Sequence, residues 1–148
     1  MAEPAGRLPA PPAPQGHYVP VVVHAGTAYT AGMTPRVNGR LAVRGLVGAD
    51  LTVAEARAAA GLAAGNAVAA VAAVVGGLDR VRRCLRMTVY VACRPDFTQH
   101  SAVADGASEA LRDWLGDRGI VARSAVGVAS LPSGAPVEVE LTVAVTAD

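Results

Sequence analysis

The chain has 148 residues, 52% of them hydrophobic, and a formal net charge of +1 from 13 basic and 12 acidic side chains. That length suits one domain with a real core, and the balanced, scattered charge lacks the electrostatic footprint of a nucleic-acid binder. All 13 basic residues are arginine, so Schiff-base chemistry on a lysine amine and the lysine of a phosphate-binding P-loop are excluded.

In chain order, residues 1–16 (MAEPAGRLPAPPAPQG) are a proline-rich leader, expected to be extended and mobile. It lacks the apolar core of a signal peptide, which points to a cytoplasmic protein. Residues 17–148 are expected to form one domain. Two β-branched runs, 17–24 and 27–31, separated by Ala25-Gly26, predict a hairpin. Residues 33–50 read as loop, punctuated by Pro35, Asn38-Gly39, Gly45 and Gly48, with room for a short strand. A long helix is predicted over 53–75: Thr52-Val53-Ala54-Glu55 fits a capping box and Gly76-Gly77 a helix stop. Residues 58–78 carry no charge, the length of a membrane span. Their Ala and Gly content and the central Asn66 favour a buried soluble helix instead. Gly61 and Gly65, four apart on one face, are expected to allow close approach to a sheet.

Alternation over 81–93 predicts a half-buried strand, with Cys84, Arg86, Thr88, Tyr90 and Ala92 on one face and Leu85, Met87, Val89 and Val91 on the other. Pro95-Asp96 introduces a second helix, expected over 97–115 and stopped by Gly116 and Gly119. Two strands follow, 121–129 and 137–145, the second with five aliphatic residues on one face and Glu138, Glu140 and Thr142 on the other. The order predicts an α+β fold, one sheet with both helices on one side.

Few polar groups remain for chemistry. Arg123 interrupts a small, apolar strand, where it serves either as a bidentate receptor for a carboxylate or as an edge-strand arginine reaching solvent. Glu138 and Glu140, two apart on one strand, suit either divided acid and base roles or a solvated face. If the last two strands form a hairpin, Glu138 pairs near Val128, roughly 17 Å along the strand from Arg123. The two then share a site only between chains. Ser124 has no His/Asp partner in sight, so a hydrolase triad has no support. Cys84 and Cys93 fall on opposite strand faces and read as core or surface thiols. His17 and His24 read as solvated, and with His100 they make no metal-ligand pattern. Asn66 reads as hydrogen-bonded to backbone or lining a cavity, the structural role preferred.

The stretch ARSAVGVASLPSGAPVEVE (122–140) closely resembles the C-terminal signature of the RidA/YjgF family of reactive-intermediate deaminases, also called endoribonuclease L-PSP. Arg123, Ser124, Val126, Val128, Leu131, Pro132, Glu138 and Glu140 all occupy the pattern R-S-x-V-x-V-x-x-L-P-x-x-x-x-x-E-x-E. Tyr18-Val19-Pro20, Gly48-Ala49-Asp50-Leu51-Thr52, Gly77-Leu78-Asp79-Arg80-Val81, Pro95-Asp96-Phe97 and Gly106-Ala107-Ser108 extend the resemblance toward the longer YjgF-like, chorismate-mutase-like subfamily.

The resemblance implies a chorismate-mutase-like α+β fold, with one mixed sheet, two helices on one face, and a homotrimeric barrel with three clefts between subunits. It implies hydrolysis of enamines and imines such as 2-aminoacrylate to a keto acid and ammonia, without metal or organic cofactor. Arg123 would clamp the substrate carboxylate and Glu138 would position or activate water. Tyr18 would close the cleft, and Ala31, Gly32 and Ala125 would line it. Three departures from the family pattern stand out: Ala31 removes a hydroxyl, Ala125 replaces a common cysteine, and Asp105 stands where Asn is usual, adding negative charge. A non-hydrolytic binder of small carboxylates, or a biosynthetic tailoring protein, is the alternative on the same fold. A ribonuclease fits the composition least, and neither nucleic acid nor membrane is an expected partner.

Overall fold

The structure, a computed structural model, describes residues 7–146. Along it run β1 (Val21–His24), β2 (Thr27–Thr30), β3 (Arg36–Val37), β4 (Arg40–Leu41), α1 (Val53–Val75), β5 (Val81–Ala92), α2 (His100–Leu115), β6 (Ala122–Val128) and β7 (Val137–Val145). Five strands make one mixed sheet in the order β1-β2-β7-β5-β6, in which β5 and β6 are parallel and the other neighbours antiparallel. The segment read as loop contains a separate small hairpin, β3 with β4. Ala25 and Gly26 join β1 to β2 with φ of 50° and 77°, the left-handed pair that a type I′ turn requires.

Local chemistry fixes α1. The Thr52 hydroxyl accepts from the Glu55 amide at 3.2 Å, the Glu55 carboxylate accepts from the Thr52 amide at 3.3 Å, and Gly76 ends the helix at φ 101°. By length and composition the helix could cross a membrane, but 67% of its most apolar stretch is buried inside the fold. It packs on β7 and on α2. Asn66, within it, donates to the carbonyls of Thr34 and Arg36, both at 3.0 Å, and so ties the β3 strand to the helix. Leu8, from the proline-rich stretch, packs as a partly buried side chain against the core.

Both helices lie on one face of the sheet. The core between them holds Val137, Val139, Leu141 and Val143 of β7, Met87, Val89 and Val91 of β5, and Val103 and Leu111 of α2. The opposite face bears Glu138, Glu140 and Thr142 beside Thr88, Tyr90 and Arg86, together with the exposed apolar side chains Val22, Tyr29 and Val126.

Four expectations need correction. The last two strands are not a hairpin: β5 lies between β6 and β7, pairing Met87 with both Arg123 and Leu141. The intervening chain crosses the end of β5, where the Ala92 amide donates to Pro136 and that of Cys93 to Val128. Strict alternation on β5 fails near its start, because register shifts between Val81 and Arg83 and between Cys84 and Arg86 insert extra residues. Cys84 is therefore buried with Met87, and Leu85 is exposed. Gly61 and Gly65 face α2 rather than the sheet: side chains added there would meet the Gly106 carbonyl and Ala110, and the Trp114 indole. Finally, α2 begins at His100, three residues later than the Pro95-Asp96 signal suggests.

Candidate functional site

The polar residues singled out above fall into two groups within the chain. The first surrounds Glu138. Met33 and Val139 exchange backbone hydrogen bonds, each 2.8 Å, which lays residues 31–33 along β7. Gly32 then lies directly against the Glu138 side chain. A Cβ at that position would stand 2.9 Å from Glu138 Cγ and nearer still to the carboxylate, so only glycine leaves the carboxylate where it is. The neighbouring Ala31 amide donates to Pro20 at 2.8 Å, connecting this strip to the segment that carries Tyr18. Tyr18 itself is exposed, and its hydroxyl accepts from the Gln15 amide at 3.1 Å.

Burial, and then the neighbouring Glu140, raise the Glu138 carboxyl above the ordinary carboxylate range. Tyr90, across the pairing from Glu138, donates its hydroxyl to Glu140 at 2.8 Å. That hydrogen bond pushes the Tyr90 phenol up, with burial and both glutamates adding to it. The two carboxylates thus differ in their surroundings: Glu140 is held by a phenol, whereas Glu138 lies against the strip at Gly32. A 230 Å³ cavity beside Glu140, between Tyr29 and Arg86, continues this face.

The second group surrounds Arg123 on β6. Its pairing with Met87 puts it on the helix-covered face, where α2 supplies four acceptors. Nη1 donates to Asp105 at 2.9 Å and to the Ser108 hydroxyl at 2.8 Å; Nη2 donates to the Ser101 hydroxyl at 2.9 Å and its carbonyl at 3.3 Å. The arginine is neither a solvated edge residue nor an empty receptor. Its side chain is 18% exposed and is held by one face of a helix, while Asp105 is 50% exposed. Ala125 follows on the same side and packs against the core.

The chain therefore brings Arg123, Asp105 and Ala125 together, and separately Glu138, Gly32 and Ala31. It does not bring Arg123 to Glu138. They are two strands and three residues apart in register, about 14 Å at ordinary sheet spacings, and on opposite faces. Sequence reasoning missed Ser101 and Ser108 as holders of Arg123, although 101, 105 and 108 stand at i, i+4 and i+7 on one helical face. It also missed Tyr90 as the partner of Glu140, a pairing that no local pattern carries.

The fold defines the class first: one mixed sheet with two helices on one face, with 94% of the chain superposing on 92% of a Shewanella oneidensis crystal structure described as "a putative endoribonuclease" (TM-score 0.90, 29% identity). The chain belongs to the YjgF family: residues 3–141 match the family model "YjgF/chorismate_mutase-like, putative endoribonuclease". Protein TCP17 of Trypanosoma cruzi is 41% identical over 138 residues, covering 93% of this chain and 86% of that protein. The crystal structure of Atu1372 from Agrobacterium tumefaciens, of unknown function, is 40% identical with a TM-score of 0.85, over 88% of this chain and 83% of that one.

Proposed function

We propose that this protein is a hydrolytic deaminase of reactive enamines and imines derived from amino acids, working as a homotrimer whose sites lie between subunits. The observation that carries the reading is the division of the polar residues into two half-sites, Glu138 with Gly32 on one sheet face and Arg123 with Asp105 on the other. Neither half is a site alone, and the spacing keeps them apart within a chain. The exposed Val22, Tyr29 and Val126 on the uncovered sheet face are the kind of apolar patch that a second subunit covers.

In such a cleft the chemistry is modest. An imine carbon is already electrophilic, so the protein has to orient it and supply a base for water. Glu138, with a carboxyl raised by burial, accepts the proton from the attacking water and returns one to the departing nitrogen, giving a carbonyl compound and ammonia. Arg123 orients the substrate through its carboxylate. Since Asp105 is half exposed, water screens its pair with Arg123 and a substrate carboxylate can exchange with it. RNA cleavage fits less well, because the uncovered face presents Glu138 and Glu140 and the net charge is only +1.

The decisive experiment is complementation. Arg123→Ala and Glu138→Gln chains, each inactive in ammonia release from 2-aminoacrylate generated in situ, are unfolded together and refolded as mixed assemblies. A site between chains regains activity wherever an intact Arg123 of one subunit meets an intact Glu138 of the next. Mixtures no more active than the separate variants overturn the inter-chain site, and a wild type no faster than buffer overturns the deaminase reading.

Asp105 gives a further expectation. In Asp105→Asn the amide oxygen still accepts from Arg123, but the competing anion is gone. KM for a carboxylated imine should fall by about threefold, equivalent to roughly 0.7 kcal/mol for a screened, half-exposed anion, with little change for an uncharged imine. Steady-state kinetics on the two substrates checks it.

A further inference from the structure

Cys93 and His100 form a pair that uses neither Arg123 nor Glu138. Cys93 follows β5 and His100 opens α2, so the turn between them carries the thiol to 3.6 Å from His100 Nε2. Gly127 of β6 makes room for the contact: a Cβ there would fall 2.6 Å from Nε2 and 3.1 Å from Sγ. Phe97 stands edge-on to the imidazole, ring centroids 5.3 Å apart at 73°, and fixes its plane. With Pro95 and Val128 these residues line a 410 Å³ cavity at the carboxyl ends of the parallel pair β5 and β6. Cys84 is the more deeply buried of the two thiols, 1% exposed against 9% for Cys93, and burial pushes it up to about 11.

We propose that Cys93 is a nucleophilic thiol, with His100 as its base, that captures small α,β-unsaturated carbonyl compounds in this cavity. Burial raises the Cys93 thiol as well, so it rests protonated and needs a base in reach as it attacks. His100 Nε2 is placed to be that base. The addition balances with no further reagent. Sγ bonds to the β-carbon, the C=C electron pair moves to the α-carbon as an enolate, and the proton taken by Nε2 passes to that carbon. Phe97, Pro95 and Val128 share the lining with Arg94, which Asp96 holds at 3.3 Å, and a soft sulfur nucleophile among them suits a small conjugated alkene.

The test uses the full chain and N-ethylmaleimide, a cyclic member of the class, with peptide mass spectrometry separating the two cysteines. Cys93 should be alkylated and Cys84 spared in the native protein. In His100→Ala the Cys93 rate should fall at least tenfold, a modest share of what general-base catalysis supplies, and added imidazole should restore part of it, which a merely structural role would not allow. Gly127→Ala, which keeps both reactive groups but forces them apart, should show the same loss, and it stands as the test if His100→Ala does not fold. Equal Cys93 rates in wild type and the folded variants, or a native Cys93 no faster than Cys84, would overturn the proposal.

Discussion

Glu138→Gln is expected to lower kcat for imine hydrolysis by about two to four orders of magnitude, the usual contribution of a positioned acid–base group, with KM changed little. Glutamine keeps the shape against Gly32 but cannot take a proton from water. The same substitution should also change stability, and in the opposite sense. In the unfolded chain Glu138 titrates in the ordinary carboxylate range, whereas burial and Glu140 raise it in the fold. Below the ordinary range both states are protonated and the glutamate costs nothing. As pH rises through the raised folded value, the fold must hold a desolvated carboxylate and loses stability. Glu138→Gln escapes that loss, so its Tm should exceed that of wild type at neutral pH, by the equivalent of less than about 1 kcal/mol for a half-exposed, screened group. The gap should close on acidification. Melting curves across pH check the second effect and ammonia release the first; a variant that is less stable at neutral pH and fully active would show that Glu138 is an ordinary surface carboxylate.

How far the fold could be read from the sequence follows from which interactions are local. The α1 helix is legible to the residue because Thr52, Glu55 and Gly76 settle its ends within one turn of each. The β7 strand is legible because Val137 to Val145 alternate strictly against the core. The insertion of β5 between β6 and β7 is not legible, since nothing within residues 121–145 records that their shared partner lies 36 residues upstream of β6 and 46–64 upstream of β7. The two bulges in β5 hide in the same way: Cys84 and Leu85 exchange faces although every residue type in the run suits a strand. Within the candidate site, Glu138 and Gly32 each stand out in the resemblance, but their contact depends on the long-range pairing of Met33 with Val139. The helical spacing of Ser101, Asp105 and Ser108 was on view throughout. What was missing was the strand that faces them.

Gly106→Ala is expected to destabilise the protein by about 2 kcal/mol, although alanine is the better helix former by up to about 1 kcal/mol. Gly106 lies in α2, where a Cβ would stand 2.8 Å from the Arg57 carbonyl carbon and closer to its oxygen. Those are backbone atoms of α1 and cannot swing aside, so the helices must separate, and overpacking of this kind costs about 1–3 kcal/mol or more. Separation also opens the small-residue seam in which Gly61 faces Gly106 and Ala110. Gly61→Ala is the internal control: its Cβ would meet the nearest atom at 3.4 Å, ordinary contact, so it should be neutral or slightly stabilising. The pair of variants separates helix propensity from the closeness of the two backbones, read as Tm at one fixed protein concentration, since assembly makes Tm depend on it. A second readout follows from the site. Arg123 is held by Ser101, Asp105 and Ser108 on the helix that Gly106→Ala displaces, so at temperatures where the variant stays folded its KM for a carboxylated imine should rise while that for an uncharged one stays put. Equal stability of the two variants would mean that α1 and α2 do not meet as closely as their glycines require.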